Sequence, residues 1–359
     1  MWLIRTDILT AFQNEEIRSS IPRYISVVKD KLPALFLIAS RFPVDRPLEV
    51  EEEELWLLHD ELMNDFWEFV DCFDSLNLPA KPPYSLLDLK ADIARRILTS
   101  CRLCERRCLV DRTKGELGAC RIGEKPRVST YFIHMGEEAP ISPSGTIFFS
   151  SCNFRCVFCQ NWDISQNPKS GELVSPADLS NMFISLRREG ARNINLVGGE
   201  PTPNIPAILD ALRQTDINVP IIWNSNMYLT VESMKLLIGL VDLWLPDFKY
   251  WDEGHALKLS GIPNYTKVVK RNLEMAYQAR GEMIIRHLVL PNHIECCTKP
   301  ILRWIAENLP KALVNVMAQY RPEYRALKYP EISRRPTASE MREAYEEAER
   351  LGLRWRSVS

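Results

Sequence analysis

The sequence predicts an α/β protein whose main body is a partial (β/α)6 TIM-type barrel carrying an N-terminal helical extension. Three observations carry that prediction. Six short apolar runs recur between residues 145 and 320, and each is followed by an amphipathic stretch of helical length. The first 95 residues instead repeat apolar side chains at three- and four-residue steps. The 359 residues are 46% hydrophobic and 26% charged, the balance of a folded globular chain too long for one small core.

The extension, residues 1–95, reads most clearly from Glu51 to Phe73, where Leu55, Leu58, Leu62, Phe66 and Val70 share a helix face. The run Glu51 to Glu54 fits the first turn of that helix, which favours negative charge. Three prolines in residues 77–85 mark a linker or sharp turn. Residues 96–140 form a cysteine-rich segment, 141–325 the barrel, and 326–359 a last helix and tail whose core face is Met341, Ala344, Tyr345 and Ala348. The expected strands are Gly145–Ser151, Asn193–Gly199, Pro220–Asn226, Val241–Phe248, Met283–Leu290 and Leu313–Tyr320. Nearly continuous apolar runs of this kind are buried on both faces of a parallel sheet. Helices are expected at Pro176–Glu189, behind the cap Ser175, and at Thr230–Gly239.

The formal charge of −2 gives no general basic field for nucleic acid. No leader-like start and no run near the ~20 apolar residues of a membrane span is present, so a cytoplasmic protein is expected. Seven of the ten cysteines fall between Cys101 and Cys159 at metal-ligand spacings, which fits thiolate sites in a reducing compartment better than disulfides.

In a barrel of this type the chemistry sits at the C-terminal strand ends. The first predicted strand runs into Cys152, Cys156 and Cys159 at C-x3-C-x2-C. The next ends at Gly198-Gly199-Glu200-Pro201, then come Asn224-Ser225-Asn226 and Asp247-Phe248-Lys249, and the fifth supplies Arg286. Three thiolates at this spacing can each hold one iron of a [4Fe–4S] cluster and leave the fourth iron open. A zinc loop or three packed cysteines are the alternatives, and the strand before the loop and the glycine turn one unit later favour the cluster. A second group, Cys101, Cys104, Cys108 and Cys120, has the thiols for zinc or a second [4Fe–4S] cluster, and the spacing does not choose. His134, Glu137 and Glu138 are expected in a surface turn, with acid–base groups lining the substrate side as the alternative, and His287 is expected on the strand face opposite Arg286.

The motif Cys152-x3-Cys156-x2-Cys159, with Phe158 before the last cysteine, resembles that of the radical S-adenosylmethionine (SAM) superfamily. The segments SSCNFRCVFCQN, VGGEPT, LPDFKYW and RHLVLPN are similar to those of pyruvate formate-lyase activating enzyme-like proteins. The resemblance covers about residues 140–325. It implies a barrel of the radical SAM kind and an oxidoreductase-type or modifying enzyme. Such an enzyme reductively cleaves SAM at a [4Fe–4S] cluster, and the resulting 5′-deoxyadenosyl radical takes hydrogen from a protein or small-molecule substrate. It also implies an electron donor of the flavodoxin or ferredoxin type. It places the SAM amino group against Gly198, Gly199 and Glu200, the adenine near Phe158, a ribose or cation contact at Asp247, and the methionyl carboxylate at Lys249. Asn224 and Asn226 would hydrogen-bond the cofactor and Arg286 would meet a carboxylate. A non-catalytic iron–sulfur or zinc scaffold is the alternative from another class. The chain departs from the activating enzymes in the residues ahead of Cys152 and in a sixth strand followed by Arg321-Pro322 without histidine.

Overall fold

The computed structural model describes residues 5–45 and 50–359. Its strands are β1 (Arg127–His134), β2 (Ser144–Phe149), β3 (Glu172–Leu173), β4 (Ile194–Gly198), β5 (Ile221–Ser225), β6 (Leu243–Pro246), β7 (Ile284–Leu288) and β8 (Leu313–Met317). β2, β4, β5 and β6 pair in parallel in that order, and β7 pairs in parallel with β8. Parallel bridges at Trp244–Met283 and Asp247–Arg286 join the two groups, with the Phe248 N–H donating to the Arg286 carbonyl at 2.8 Å. The six expected strands are therefore present in chain order as one curved, open wall. Among the described residues no ladder joins β8 to β1 or β2, so a seam remains on that side.

Two strands were not expected. β1 pairs antiparallel with β2, and the two-residue β3 pairs with β1. β1 lacks the signature of a buried strand because Tyr131 and Phe132 are exposed. Pairing with β2, rather than its own pattern, makes it a strand. On the other side of the seam the free edge of β8 is covered by the chain's last residues. The Val314 N–H donates to the Arg354 carbonyl at 2.9 Å and the Val316 N–H to Ser359 Oγ at 2.8 Å.

The expected helices are present. Glu52–Asp71 buries Leu55, Phe66 and Val70. Leu86–Ile97 and Pro176–Arg188 each start in a capping box, Ser85 with Asp88 and Ser175 with Asp178. No described helix is long and apolar enough to cross a membrane.

The N-terminal strand ends form the floor of the barrel, and polar residues there hold the extension. Before β5, Asn218 Oδ1 accepts the Ala34 N–H at 2.9 Å. Before β6, Asp242 accepts the N–H groups of Leu35 at 3.0 Å and Ile221 at 2.9 Å. Before β7, Glu282 accepts those of Arg23 and Tyr24 at 2.7 and 2.8 Å, which open the helix Pro22–Val28. Each carboxylate thus satisfies helix-start donors that burial would otherwise orphan.

Candidate functional site

The opposite end of the barrel gathers the polar strand ends. Ser151, in the left-handed region at φ 68°, turns the chain out of β2 into the loop of Cys152, Cys156 and Cys159. The β4 end fits against this turn only as glycine. A Cβ on Gly199 would lie 1.7 Å from the Ser151 carbonyl oxygen, and Gly198 has φ +114° with a Cβ position 2.3 Å from Phe149 backbone atoms.

The three thiols line a cavity of about 250 Å³ together with Phe158, Gly198, Gly199, Glu200, Asn224, Asn226, Asp247, Lys249 and Arg286. Every residue assigned to the cofactor from the sequence thus borders one space. Each sulfur has a polar neighbour. The Phe154 N–H donates to Cys152 Sγ at 3.3 Å, Ser260 Oγ to Cys156 Sγ at 2.9 Å, and Ser165 Oγ lies 3.1 Å from Cys159 Sγ. Burial pushes all three thiols up, Cys156 to about 11, so a metal cation is what would favour their thiolate forms.

Polar groups in the cavity divide into engaged and open ones. The buried Glu200 carboxylate accepts from Ser225 Oγ and Thr202 Oγ, both at 2.6 Å, and from the Asn226 N–H at 3.0 Å. Burial raises its pKa and these donors oppose the rise, so the carboxylate braces the glycine turn against β5. Lys249 Nζ donates to Asp247 Oδ2 at 2.5 Å; burial alone would lower the lysine's pKa, and Asp247 raises it. Phe158 packs edge-on against Tyr250 and Tyr320, with ring centroids 6.3 and 5.8 Å away. Asn224 Nδ2 is buried and has no partner, an orphaned donor that a ligand acceptor would satisfy.

A second cavity of about 760 Å³ continues from the first through Asn224, Arg286, Met317 and Gln319 and follows the seam between β1–β2 and β8. Its polar wall corrects the expectation of a surface turn at His134, Glu137 and Glu138, all three of which line it. Arg286 donates to Glu137, and to Glu138 at 2.5 and 2.7 Å, so the carboxylates it meets belong to the protein itself. Asn195 Nδ2 donates to Glu137 at 3.2 Å, Asn315 Nδ2 to Glu138 at 2.7 Å, and His134 Nδ1 lies 3.2 Å from Glu137. Burial would raise Glu137, but Arg286 prevails and holds it at about 2. Sequence reasoning missed Asn195 and Asn315; an amide inside each otherwise apolar strand was the available signal. His287 faces outward, as expected, between the Phe248 carbonyl and Thr298 Oγ.

Cys101, Cys104, Cys108 and Cys120 do not border the cavity, but their loop lies against the Cys152 loop. Arg106 Nε donates to the Asn153 carbonyl at 3.1 Å, Ser151 Oγ to the Cys120 carbonyl, and Arg155 to the Ala119 carbonyl. Among the described residues no three His, Cys, Asp or Glu side chains converge as a single-ion site.

Comparison with a family model agrees with this geometry. A model of the "Radical SAM superfamily" matches residues 146–305. The uncharacterized protein MJ0674 of Methanocaldococcus jannaschii is 46% identical over 339 residues, spanning 92% of this chain and 97% of that protein. Among solved structures, Streptococcus suis SuiB bound to S-adenosylmethionine aligns at 14% identity and TM-score 0.43, covering 55% of this chain and 44% of that one. SuiB bound to its precursor peptide SuiA aligns at 13% and 0.46, covering 86% and 66%. The chain thus spans less than two thirds of either SuiB chain's length.

Proposed function

Residues 146–305 carry a radical SAM superfamily domain, and on that premise we propose that the chain reductively cleaves SAM to a 5′-deoxyadenosyl radical and abstracts hydrogen from a substrate seated in the seam cavity. The observation that carries the reading is the convergence of three cysteines and four successive strand ends on one small cavity that opens into a larger one.

The residues present fit both cofactors. Cys152, Cys156 and Cys159 would hold a [4Fe–4S] cluster, since three thiols face one space and each has a polar neighbour suited to a thiolate. The cradle between Gly199 and Ser151, the orphaned Asn224 Nδ2 and the buried Lys249 suit the amino-acid end of SAM. When bound, the reduced cluster supplies the electron that splits the sulfonium. The chain's own part is positional. Gly198 and Gly199 let backbone approach the ligand, Glu200 fixes that turn, and Phe158 with Tyr250 and Tyr320 closes one side against water. Lys249, shared with Asp247, supplies positive charge for a carboxylate. Arg286, tied to Glu137 and Glu138, forms the wall where the two cavities meet.

The same proposal includes a reduced flavodoxin- or ferredoxin-type donor, a second metal centre at Cys101, Cys104, Cys108 and Cys120, and a reducing cytoplasmic setting, consistent with ten free cysteines. The segments at Cys152–Asn161 and Asp247–Lys249 favour a place beside the pyruvate formate-lyase activating enzyme-like proteins. The seam offers the substrate, protein or small molecule, a lateral path. The test is anaerobic reconstitution, reduction with dithionite, and chromatographic measurement of 5′-deoxyadenosine and methionine formed from SAM. Their absence from protein loaded with cluster would leave only a non-catalytic scaffold.

A further inference from the structure

We propose that Cys101, Cys104, Cys108 and Cys120 bind a second iron–sulfur cluster, and that this cluster is the port through which a one-electron donor reduces the radical site. The inference deepens the function proposed above and rests on its reading of Cys152, Cys156 and Cys159.

The loop around the four thiols concentrates left-handed backbone beside its cysteines. It has little regular structure beyond the turn Arg112–Lys114. The Cys101 N–H donates to the Val110 carbonyl at 2.9 Å and the Leu109 N–H to the Cys101 carbonyl at 3.0 Å, folding Cys108 back toward Cys101. Three non-glycine residues beside these cysteines take left-handed φ: Arg107 at 41°, Leu109 at 55° and Arg121 at 58°. Each such residue costs about 1–2 kcal/mol and persists only where its surroundings over-determine it. A Cβ on Gly118 would stand 2.8 Å from both Cβ and Sγ of Cys108, and the Ala119 N–H donates to that sulfur at 3.2 Å. Cys120 lies within electrostatic range of Cys101, Cys104 and Cys108, and Cys104 within range of Cys101.

Charge gives the second argument. Four guanidinium groups, those of Arg106, Arg112, Arg121 and Arg155, surround the two cysteine loops, and none has a carboxylate partner among the described residues. They donate instead to carbonyls, of Asn153 and Gly261, of Gly123, of Gln166, and of Ala119, Cys152 and Phe154 respectively. Arg112 is buried, and its Nη1 lies 3.8 Å from Cys101 Sγ. Of the four, Arg112 is the buried cation that requires a counter-charge, and metal-bound thiolates provide one.

The third argument is position. Arg155 is in electrostatic range of both Cys152 and Cys120. The Asn153 side chain approaches the Cys104 sulfur, and its Oδ1 accepts from Asn226 Nδ2 at 2.8 Å, while that same Nδ2 lies 3.8 Å from Cys152 Sγ. Single side chains therefore span from one thiol group to the other. Four thiolates suit zinc or a cubane alike, and of the two only a cubane changes charge by one electron, which is what a relay beside the radical site requires. One electron leaves the donor for the outer cluster, passes to the inner cluster and then to SAM, where the sulfonium carbon–sulfur bond breaks to methionine and the 5′-deoxyadenosyl radical.

Two measurements test this. Protein with Cys152, Cys156 and Cys159 all replaced by Ala, reconstituted anaerobically, should hold about four iron and four sulfide per chain and give an electron paramagnetic resonance signal on reduction. One zinc without iron, or no metal in folded protein, overturns the proposal. In the reciprocal variant, Cys104→Ala with Cys108→Ala, the inner site should keep its iron; loss of that iron from folded protein would instead refute the reading of the radical motif. For the port, SAM cleavage driven by reduced flavodoxin should fall at least about tenfold further than cleavage driven by dithionite in this variant. The milder Gly118→Ala, which displaces Cys108 and removes no thiol, should give the same split. Equal losses with both reductants overturn the port.

Discussion

The two ends of the barrel are built from the same strands, yet they treat buried polar groups in opposite ways. At the floor, Asp242 and Glu282 each accept two backbone N–H groups from distant parts of the chain, and Asn193 engages Tyr24, Ile141 and Ser144 through both ends of its amide. At the mouth, Asn224 keeps a buried donor without a partner, and three thiols line the same cavity. A polar group costs free energy to bury unless it is satisfied; the floor carboxylates meet that cost with backbone N–H groups, although Arg23 Nε beside them lacks a partner, whereas Asn224 faces the cavity where a ligand acceptor would meet it. The difference predicts that mouth substitutions remove function first and floor substitutions remove stability first.

The largest effect is expected at the cluster loop. Ala at Cys152, Cys156 or Cys159 should abolish SAM cleavage and remove most iron from that site, and a variant that still cleaves SAM at the parent rate would break the assignment. Arg286 sharpens the comparison because it is a mouth residue with floor-like bonding. Arg286→Leu strands Glu137 and Glu138 in the interior and should lower unfolding free energy by about 3–5 kcal/mol in urea titrations; an unchanged midpoint would show that the seam admits water to the pair. Lys249→Ala should weaken SAM binding by about 1.5–3 kcal/mol, read by anaerobic equilibrium dialysis, with inner-site iron retained. Undiminished affinity would confine Lys249 to its ion pair with Asp247.

The smallest effects belong to the floor. Asp242→Asn replaces one of two acceptors by a donor and should cost about 1–3 kcal/mol of stability, while SAM cleavage per folded molecule stays at the parent level. Burial raises Asp242 to about 6 and Glu282 to about 7. A carboxyl that binds its proton more tightly when folded stabilises the protein at acidic pH and loses that contribution as pH rises through the folded value. Stability should therefore decline between about pH 4 and pH 7, and Asp242→Asn should flatten the slope. A stability that climbs across this window would show that both carboxylates are held ionised by their N–H donors.

The mouth was legible in the sequence because its signals are local. A run of apolar residues that ends in polar ones reads as a strand end, and six such ends in order placed Cys152, Gly198, Asn224, Asp247 and Arg286 on one rim. His134, Glu137 and Glu138 were misplaced because the antiparallel register of β1, His134 opposite Ser144, brings them to the seam, and no local pattern encodes that pairing. Asp242 and Glu282 escaped notice for a related reason. Asp242 falls inside the expected strand Val241–Phe248 and Glu282 just before Met283–Leu290, and neither position reveals that the N–H groups that make them structural lie 207 and 259 residues away in sequence.

Those separations also order the assembly of the molecule. The segment Arg23–Leu35 leaves the ribosome long before Asn218, Asp242 and Glu282, so its helix starts must wait, uncapped by their eventual partners, until the far strands exist. Closing such loops costs chain entropy that is recovered only when the contact forms, which makes docking of the extension on the floor a late and slow event. Ser19 and Ser20 wait longer still, for Arg354, 335 and 334 positions on. The helix starts at Arg23 and Leu35 thus reach their final partners only after the far strands exist.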